Sequence, residues 1–323
     1  MAEMNAAVVH EFGGPQVLRY ERVPRPEPGP GEVLVRVHAA GLNPPDLYRR
    51  AGYTNFPEAV RPRPPALPFL PGSDVSGTVA ATGPGADRFR KGDAVFGLLR
   101  FPSSSGPGGR GYAEYVTAPE EEVAAKPRSV DHARAAAIPM AGLTALQFLD
   151  RHVRPKPGER VLVNGAAGGV GHFLVQLARL RGAHVVAVAS GGHADFLAEL
   201  GADEHVDYTR TDVGAEVRGV DHVVDSVGGP AAHRLLATLR PGGTLLPVFY
   251  GDYRPAEAAA LGVTLLDHAQ VRSDAAGVAE LAALVDRGLL TVGIDSVHPL
   301  TDAARAHARA ERGHVRGKIV LVA

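Results

Sequence analysis

Hydrophobic positions follow two different rhythms along the chain. Up to about residue 125, short apolar runs alternate with segments rich in proline and glycine. The runs predict strands, at residues 33–37, 75–81, 94–99 and 112–117. The proline clusters at 24–31 and 57–71 predict surface loops, and PSSSGPGGRG at 102–111 predicts a mobile one. This spacing favours a small, barrel-like β domain.

From about residue 126, apolar runs alternate with amphipathic segments. They predict strands at 160–164, 184–189, 220–225, 244–249 and 263–266, and helices at 171–181, 194–200, 231–240 and 275–287. Strands this apolar, with helices between them, are typical of a parallel sheet that is covered on both faces. Short strands are predicted again at 296–299 and 318–322, and we expect the chain to end by rejoining the first domain.

Length and charge narrow the class of protein. With 323 residues, and roughly 150 residues per domain, about two domains are expected. The chain carries 34 Lys and Arg against 35 Asp and Glu, which gives no electrostatic footprint for nucleic acid or an acidic membrane. The first residues lack the pattern of a signal peptide, and residues 161–178 are too polar for a membrane span. A cytoplasmic protein is expected.

The absence of cysteine excludes several kinds of chemistry. Disulfides, a cysteine nucleophile, iron–sulfur clusters and thiolate zinc sites all need this residue. The 14 histidines show no H-E-x-x-H pairing. No tyrosine is followed by lysine four residues later, as a short-chain dehydrogenase would need, and the G-x-S-x-G of a serine hydrolase is absent.

The sharpest local signal directly follows the strand at 160–164. Gly165, Gly168 and Gly171 form a G-x-x-G-x-x-G pattern, and an amphipathic helix starts at once. Such a loop lets the backbone approach a pyrophosphate, which then meets the positive end of the helix. We predict a dinucleotide site at Gly165, Ala166, Gly168, Gly169, Val170 and Gly171. The alternative is a glycine-rich loop without function.

The end of the second strand bears on the choice of cofactor. An acidic residue there would bind the ribose 2′-hydroxyl of NAD, but residues 189–193 read Ala-Ser-Gly-Gly-His. Ser190 can hydrogen-bond to a 2′-phosphate, and His193 adds positive charge when protonated. NADPH is therefore predicted over NADH. The alternative for His193 is a solvated residue at a helix start.

Further motifs occur in order along almost the whole chain. They are AGLNPPDLYRRAGY at 40–53, LPGSDVSGTV at 70–79, GYAEYV at 111–116, AGLTA at 141–145, the glycine loop, LGAD at 200–203, DY at 207–208 and GHVRGKIVL at 313–321. Together they resemble the zinc-independent quinone oxidoreductases, the ζ-crystallin-like branch of the medium-chain dehydrogenase/reductase superfamily.

The resemblance implies an α/β protein of two domains. A GroES-like β-rich catalytic domain would comprise residues 1–125 and 272–323. A Rossmann domain with a doubly wound parallel sheet would comprise 126–271. NAD(P)H would bind in the cleft between them, commonly in a homodimer.

The resemblance also implies the loss of a metal. Zinc-dependent relatives take one catalytic ligand from a cysteine where this chain has Asn43, and another from a histidine where it has Ser73. Their four-cysteine structural lobe is missing. We therefore expect no zinc, and an acceptor that is already activated, such as a quinone or an α,β-unsaturated carbonyl.

The resemblance assigns roles to individual residues. It places Asn43 and Tyr48 near the nicotinamide, Gly168, Gly169 and Val170 at the diphosphate, Ser190, His193 and Tyr208 around the adenosine 2′-phosphate, and Lys318 towards the cofactor from the tail. NADPH-preferring relatives often carry lysine where this chain has His193.

Candidate catalytic residues follow from the chemistry of an activated acceptor. Tyr48 and Tyr53 are candidate hydrogen-bond donors to a developing oxyanion, with Asn43 and Asp46 holding the cofactor or neighbouring side chains. Alternatively, Tyr53 packs the pocket wall and Asp46 caps a helix that starts near Leu47.

Two tyrosines and several functions stay open. Tyr250 and Tyr253 follow the strand at 244–249, and we interpret them as surface aromatics of a loop. The alternative is that one of them reaches the substrate, because ligands bind at the carboxyl edge of such a sheet. Other functions compatible with the sequence are an enoyl-thioester reductase, a biosynthetic tailoring reductase, and a protein that binds NADPH without turnover.

Overall fold

The computed structural model describes residues 2–54, 56, 58–101 and 108–323. Contacts divide the chain into two compact units. The first unit comprises Met1–Leu143, Arg272–Gly288 and Ile294–Ala323, and the second comprises Thr144–Val271 and Leu289–Gly293. Most of the segment for which a mobile loop is predicted, residues 102–107, lies outside the described residues.

The regular elements alternate along the described residues. The strands are β1 (Glu3–Val9), β2 (Leu18–Pro24), β3 (Glu32–Gly41), β4 (Asp74–Thr82), β5 (Ala94–Leu98), β6 (Tyr115–Pro119), β7 (Val123–Ala125), β8 (Arg160–Asn164), β9 (His184–Ala189), β10 (Glu204–Asp207), β11 (Val220–Asp225), β12 (Leu239–Pro247), β13 (Thr264–Leu265), β14 (Ile294–Pro299) and β15 (Lys318–Val322). The α-helices are α1 (Pro44–Arg50), α2 (His132–Ala136), α3 (Pro139–Phe148), α4 (Gly171–Leu180), α5 (Ala194–Glu199), α6 (Val213–Glu216), α7 (Pro255–Ala260), α8 (Ala275–Asp286) and α9 (Ala303–Glu311).

The first unit is built on a seven-stranded sheet. Its order is β14-β15-β3-β4-β5-β7, with β6 also paired to β3, while β1 and β2 form a separate antiparallel hairpin. Inward-facing valines of these strands, such as Val35, Val79 and Val95, form a core that excludes water. The last strand of the chain, β15, pairs antiparallel with β3, so the two ends of the sequence build one sheet.

The second unit is a six-stranded sheet of order β10-β9-β8-β11-β12-β13 in which every pairing is parallel. Apolar residues of its central strands, such as Leu162, Val186 and Val223, are fully buried, because a parallel sheet of this kind is covered on both sides. The order reverses direction at β8, beside β11. The predicted fold class, a GroES-like domain plus a Rossmann-like parallel sheet, is confirmed.

One predicted helix is wrong. Residues 231–240 form a short 3₁₀ helix, Ala232–Thr238, and β12 already begins at Leu239. Pro241 explains the difference, because a proline disfavours helical backbone at the preceding residue. The sequence analysis also gave no bounds for β1, β2, β7, β10, α2, α3, α6, α7 and α9. In β2 and β10, which are buried only in part, polar residues interrupt the apolar pattern.

The compact units differ from the expected domain limits at two places. Residues 126–143 lie with the first unit, because α2 packs against β3 and β4. Residues 289–293 lie with the second unit, where Gln176 donates to the carbonyl of Thr291 at 3.0 Å and accepts its N–H at 2.6 Å. The expected change of domain at residue 126 therefore falls at residue 144 in the contacts.

The helices of both units are short. The longest one among the described residues is α8, with 12 residues. Within the ranges given above, no helix combines the length and the apolar character that crossing a bilayer requires.

Candidate functional site

A buried polar cluster forms where β3 ends in the first unit. β3 lies between β15 and β4, and Gly41 at its end is paired with both Val320 and Asp74. The chain then turns into α1 through Asn43, whose extended backbone precedes Pro44. Proline is well suited to the first turn of a helix. The fold therefore brings Asn43, Asp74 and Lys318 together.

The side chain of Asn43 is held from both ends. Its amide nitrogen donates to Asp74 Oδ2 at 2.9 Å, and its amide oxygen accepts a hydrogen bond from Lys318 Nζ. Lys318 also donates to the carbonyl of Leu42 at 2.8 Å. Since one partner is a carboxylate and the other an ammonium, only one orientation of the amide satisfies both.

Asp74 links the cluster to the following segment. Its Oδ1 accepts the N–H of Met140 at 2.8 Å, and its Oδ2 lies 3.8 Å from Lys318 Nζ. Asp74 is fully buried, and burial raises the pKa of its carboxyl group to about 6, although Lys318 opposes this shift. Burial likewise lowers the pKa of Lys318, opposed by Asp74 and Asp46. The charge of the cluster therefore changes in mildly acidic solution.

Asp46 completes the cluster as the third residue of α1. Its Oδ2 accepts the N–H of Asn43 at 3.0 Å, and its Oδ1 accepts the N–H of Gly72 at 2.9 Å. The prediction that the side chain of Asp46 caps the start of a helix is confirmed. The helix, however, starts at Pro44 instead of near Leu47, so Asp46 acts from inside the first turn. Burial raises the pKa of Asp46.

The two candidate tyrosines lie close to each other, Tyr48 in the last turn of α1 and Tyr53 just after the helix. The rings of Tyr48 and Tyr53 both meet Phe56 edge-on, at 5.2 and 5.6 Å between ring centres. Tyr53 N–H donates to the carbonyl of Tyr48 at 2.8 Å. Burial raises the pKa of both phenols, so both keep their protons at neutral pH and have an O–H to donate.

The glycine loop of the second unit has no room for a side chain at Gly165 or Gly171. Gly165 has φ +76°, and a Cβ there would lie 2.5 Å from Ser226 Oγ. A Cβ on Gly171 would collide with the carbonyl of Gly165. At Gly168, in contrast, the only near atom is that carbonyl, at 3.2 Å. The loop is thus tightest at Gly165 and Gly171 and less crowded at Gly168, which fits close approach of a diphosphate.

The residues of the loop divide into two groups. The N–H groups of Gly165 and Ala166 both donate to the carbonyl of Val188, at 3.1 and 3.0 Å, so they shape the loop. The start of α4 presents backbone N–H groups that lack a partner within the helix. The N–H of Gly168 donates back to the carbonyl of Gly165 at 3.0 Å and so also shapes the loop, which leaves the start of α4 at Val170 and Gly171 as the part with N–H groups for a ligand.

The three residues assigned to a 2′-phosphate follow two neighbouring strands. Ser190 and His193 follow β9, and Tyr208 follows β10, which is parallel to β9. The carboxyl ends of parallel neighbours meet at one edge of a sheet, so these residues share that edge. The structure adds Asp207, which is paired with Ala189. Sequence reasoning missed it as a site residue because the short strand β10 was not predicted.

Asp225 is a second residue that the sequence reading missed. It ends β11, is fully buried, and accepts hydrogen bonds from Asn164 Nδ2 at 2.8 Å and from the N–H groups of Val227 and Gly228 at 2.9 and 3.1 Å. The fourth donor is the hydroxyl of Tyr253, at 2.9 Å. The end of the strand before the glycine loop is thereby tied to the next strand.

The interpretation of Tyr253 as a surface aromatic is therefore wrong. Only 8% of its surface is exposed, because its hydroxyl reaches the buried carboxylate of Asp225. Tyr250 is different: it is 43% exposed and stacks on His268 with ring centres 4.9 Å apart. The available signal for Tyr253 was its position after a strand that ends at the same edge of the sheet as β11.

Family models match both parts of the chain. Residues 29–128 match the alcohol dehydrogenase GroES-like domain, and residues 200–321 match a family described as zinc-binding dehydrogenase. At the two positions where the resemblance expects zinc ligands stand Asn43, whose amide is hydrogen-bonded, and Ser73. In the described part of the chain, no three histidine, aspartate or glutamate residues cluster as metal ligands would.

Relatives of known class match over nearly the whole length. A chloroplast envelope quinone oxidoreductase homologue of Arabidopsis thaliana is 34% identical, over 98% of this chain and 98% of its own. An NAD-dependent alcohol dehydrogenase of known structure is 33% identical with a TM-score of 0.88, covering 99% of this chain and 100% of that one. A mycobacterial protein solved in complex with NADPH is 34% identical with a TM-score of 0.84, at the same coverage.

These matches settle the family. The chain belongs to the zinc-independent quinone oxidoreductase branch of the medium-chain dehydrogenase/reductase superfamily. It is an oxidoreductase of that superfamily, and its relatives support a nicotinamide cofactor.

The raised pKa of Asp74 makes stability depend on pH. A carboxyl group whose pKa rises on folding, here from 3.8 to about 6, stabilises the protein below its unfolded pKa. That contribution is lost as pH rises through the folded pKa. Between pH 4 and pH 7, we expect the free energy of unfolding of the wild type to fall relative to that of Asp74→Asn, by roughly 2.4 kcal/mol.

Urea unfolding of both proteins at each pH measures this difference. Asp87→Asn, at an exposed position, is the control and should follow the wild type. Parallel pH curves for the wild type and Asp74→Asn would contradict the prediction.

Proposed function

We propose that this protein transfers a hydride from NADPH to a quinone or an α,β-unsaturated carbonyl compound without a metal ion. The observation that carries the proposal is the buried cluster of Asn43, Asp74 and Lys318. Where zinc-dependent relatives would hold a ligand, this chain has an amide already fixed by a carboxylate and an ammonium.

The second unit supplies the residues that would bind the cofactor. Gly168, Gly169 and Val170 lead directly into the start of α4, whose N–H groups would bind the diphosphate. Ser190, His193 and Tyr208 lie at one sheet edge, where the 2′-phosphate would be recognised. NADPH is favoured since no carboxylate occurs among residues 189–193. When bound, NADPH supplies the hydride.

The first unit supplies the polar groups for the acceptor. Tyr48 and Tyr53 retain their phenolic protons and are our candidates for donating to the oxygen that gains negative charge. Asn43 is immobilised by its two partners and so provides a fixed amide. A site of this kind orients and stabilises, but it offers no strong Lewis acid at Asn43. The acceptor must therefore bring its own activation.

Assembly and location remain predictions. The resemblance alone leads us to propose a cytoplasmic homodimer, and light scattering of the purified protein measures its mass in solution.

The proposed reaction is tested by the loss of NADPH absorbance. With a quinone or an enone, we expect NADPH to be oxidised, whereas saturated aldehydes and ketones should give little turnover because their carbonyl carbon is less activated. The measurement is the initial rate over a panel that also contains enoyl thioesters. Tight NADPH binding without oxidation by any acceptor would contradict catalysis and favour a non-catalytic NADPH-binding protein.

The choice of cofactor is tested by binding. We expect a lower dissociation constant for NADPH than for NADH, because the 2′-phosphate gains hydrogen bonds at Ser190 and His193. Quenching of protein fluorescence, or calorimetry, measures both constants at one salt concentration. Equal constants would show that this prediction is wrong.

The metal-independence of the reaction is tested by chelation. Prolonged dialysis against EDTA should leave kcat and KM with a quinone unchanged, because Asn43 and Ser73 replace the ligands of zinc-dependent relatives. A zinc-dependent alcohol dehydrogenase treated in parallel is the positive control. Inactivation that zinc specifically reverses would rule out the metal-free reaction.

A further inference from the structure

An acidic side chain lies within the edge where the 2′-phosphate would be recognised. Asp207 ends β10 and is paired with Ala189, the last residue of β9. Its carboxylate reaches across to the next strand's loop, since a Cβ on Gly191 would lie only 2.5 Å from Asp207 Oδ2. The carboxylate thus occupies the space that any side chain at residue 191 would need.

Hydrogen bonds fix this carboxylate in its charged form. Thr209 donates to Asp207 Oδ1 from its hydroxyl at 2.6 Å and from its N–H at 3.0 Å. These bonds, the hydroxyl first, hold the pKa of Asp207 below its ordinary value, with a further contribution from the N–H of Gly191. Arg210 is near enough to add a favourable charge interaction. At neutral pH the sheet edge therefore carries a fixed negative charge.

Asp207 is flanked by the three residues assigned to the 2′-phosphate. Tyr208 is its chain neighbour and is 45% exposed. Ser190 directly precedes Gly191, which Asp207 touches, and His193 ends the same short 3₁₀ helix, Gly191–His193. A carboxylate repels a phosphate but accepts a hydrogen bond from a ribose hydroxyl. The two cofactors should therefore respond to Asp207 in opposite ways.

We propose that Asp207 is a specificity-determining residue, whose negative charge weakens the binding of NADPH and supports that of NADH. This inference rests on the proposed cofactor site. It makes the preference for NADPH a balance, in which Ser190 and His193 favour the phosphate and Asp207 opposes it. The acid that restrains selectivity comes from the third strand, whereas NAD-selecting acids usually follow the second.

The test compares the wild type with Asp207→Asn. Asparagine keeps one oxygen, which can accept from Thr209, but it loses the charge and the second oxygen that faces Gly191. We expect the dissociation constant for NADPH to fall about three- to tenfold, the size of a screened repulsion between neighbouring charges, while that for NADH stays equal or rises. The gain for NADPH should shrink between 0.05 and 0.5 M KCl, because salt screens the repulsion.

A matched control lies at the other end of the same strand. Asp203 accepts the N–H of Val185 at 2.8 Å and pairs with Arg179 at 3.0 Å. Asp203→Asn likewise removes one negative charge and keeps one side-chain oxygen, but directly before the amino end of β10. It should retain the wild-type ratio of the two dissociation constants. Asp207→Ser, which keeps a small hydrogen-bonding oxygen, should shift the ratio in the direction of Asp207→Asn.

The outcomes separate this inference from the proposed function. Equal weakening of both cofactors, or an unchanged ratio in both Asp207 variants, would show that Asp207 only shapes the turn, and would overturn the inference. A wild type that binds NADPH no more tightly than NADH would contradict the cofactor proposal. In that case, a ratio that still moves towards NADPH in Asp207→Asn would support the role of Asp207.

Discussion

The architecture of the first unit depends on one buried contact, in which Asn43 joins Asp74 and Lys318. The three residues come from the end of β3 and the beginnings of β4 and β15, so the contact ties the first part of the chain to its last strand. Buried charges are costly unless they are paired and hydrogen-bonded. The residues proposed to take part in the reaction therefore also fix the position at which the last strand joins the sheet.

The second unit places two acidic side chains at strand ends, with different surroundings. Asp225 is enclosed and receives four hydrogen bonds, so it holds the strand before the glycine loop and the turn after β11 in place. Asp207 is only partly enclosed and keeps its charge where a ligand would come. The degree of burial therefore distinguishes the two carboxylates. Asp225 holds the backbone in place, whereas Asp207 is placed to act on a bound ligand.

The sequence alone predicted the structural features that are encoded in short local patterns. The strand, glycine loop and helix around Gly165 form one short segment with a distinctive spacing, and the alternation of apolar runs indicated the parallel sheet. It did not reveal Asp74, Asp225 or the buried Tyr253, because each acts through a partner distant in sequence. Asp207 was missed because β10 has only four residues, too few to show a rhythm. The proline after Arg240 was the neglected signal against a helix.

The reciprocal bonds between Gln176 and Thr291 have a consequence for protein engineering. Because residues 289–293 belong to the second unit, the chain passes from one unit to the other four times. Transferring residues 144–271 alone therefore does not transfer the whole second unit. A chimaera built that way would pair Gln176 with a foreign segment and leave a buried amide to find new partners. Recombination among relatives must exchange both pieces together, so they are expected to evolve as one module despite their separation in the gene.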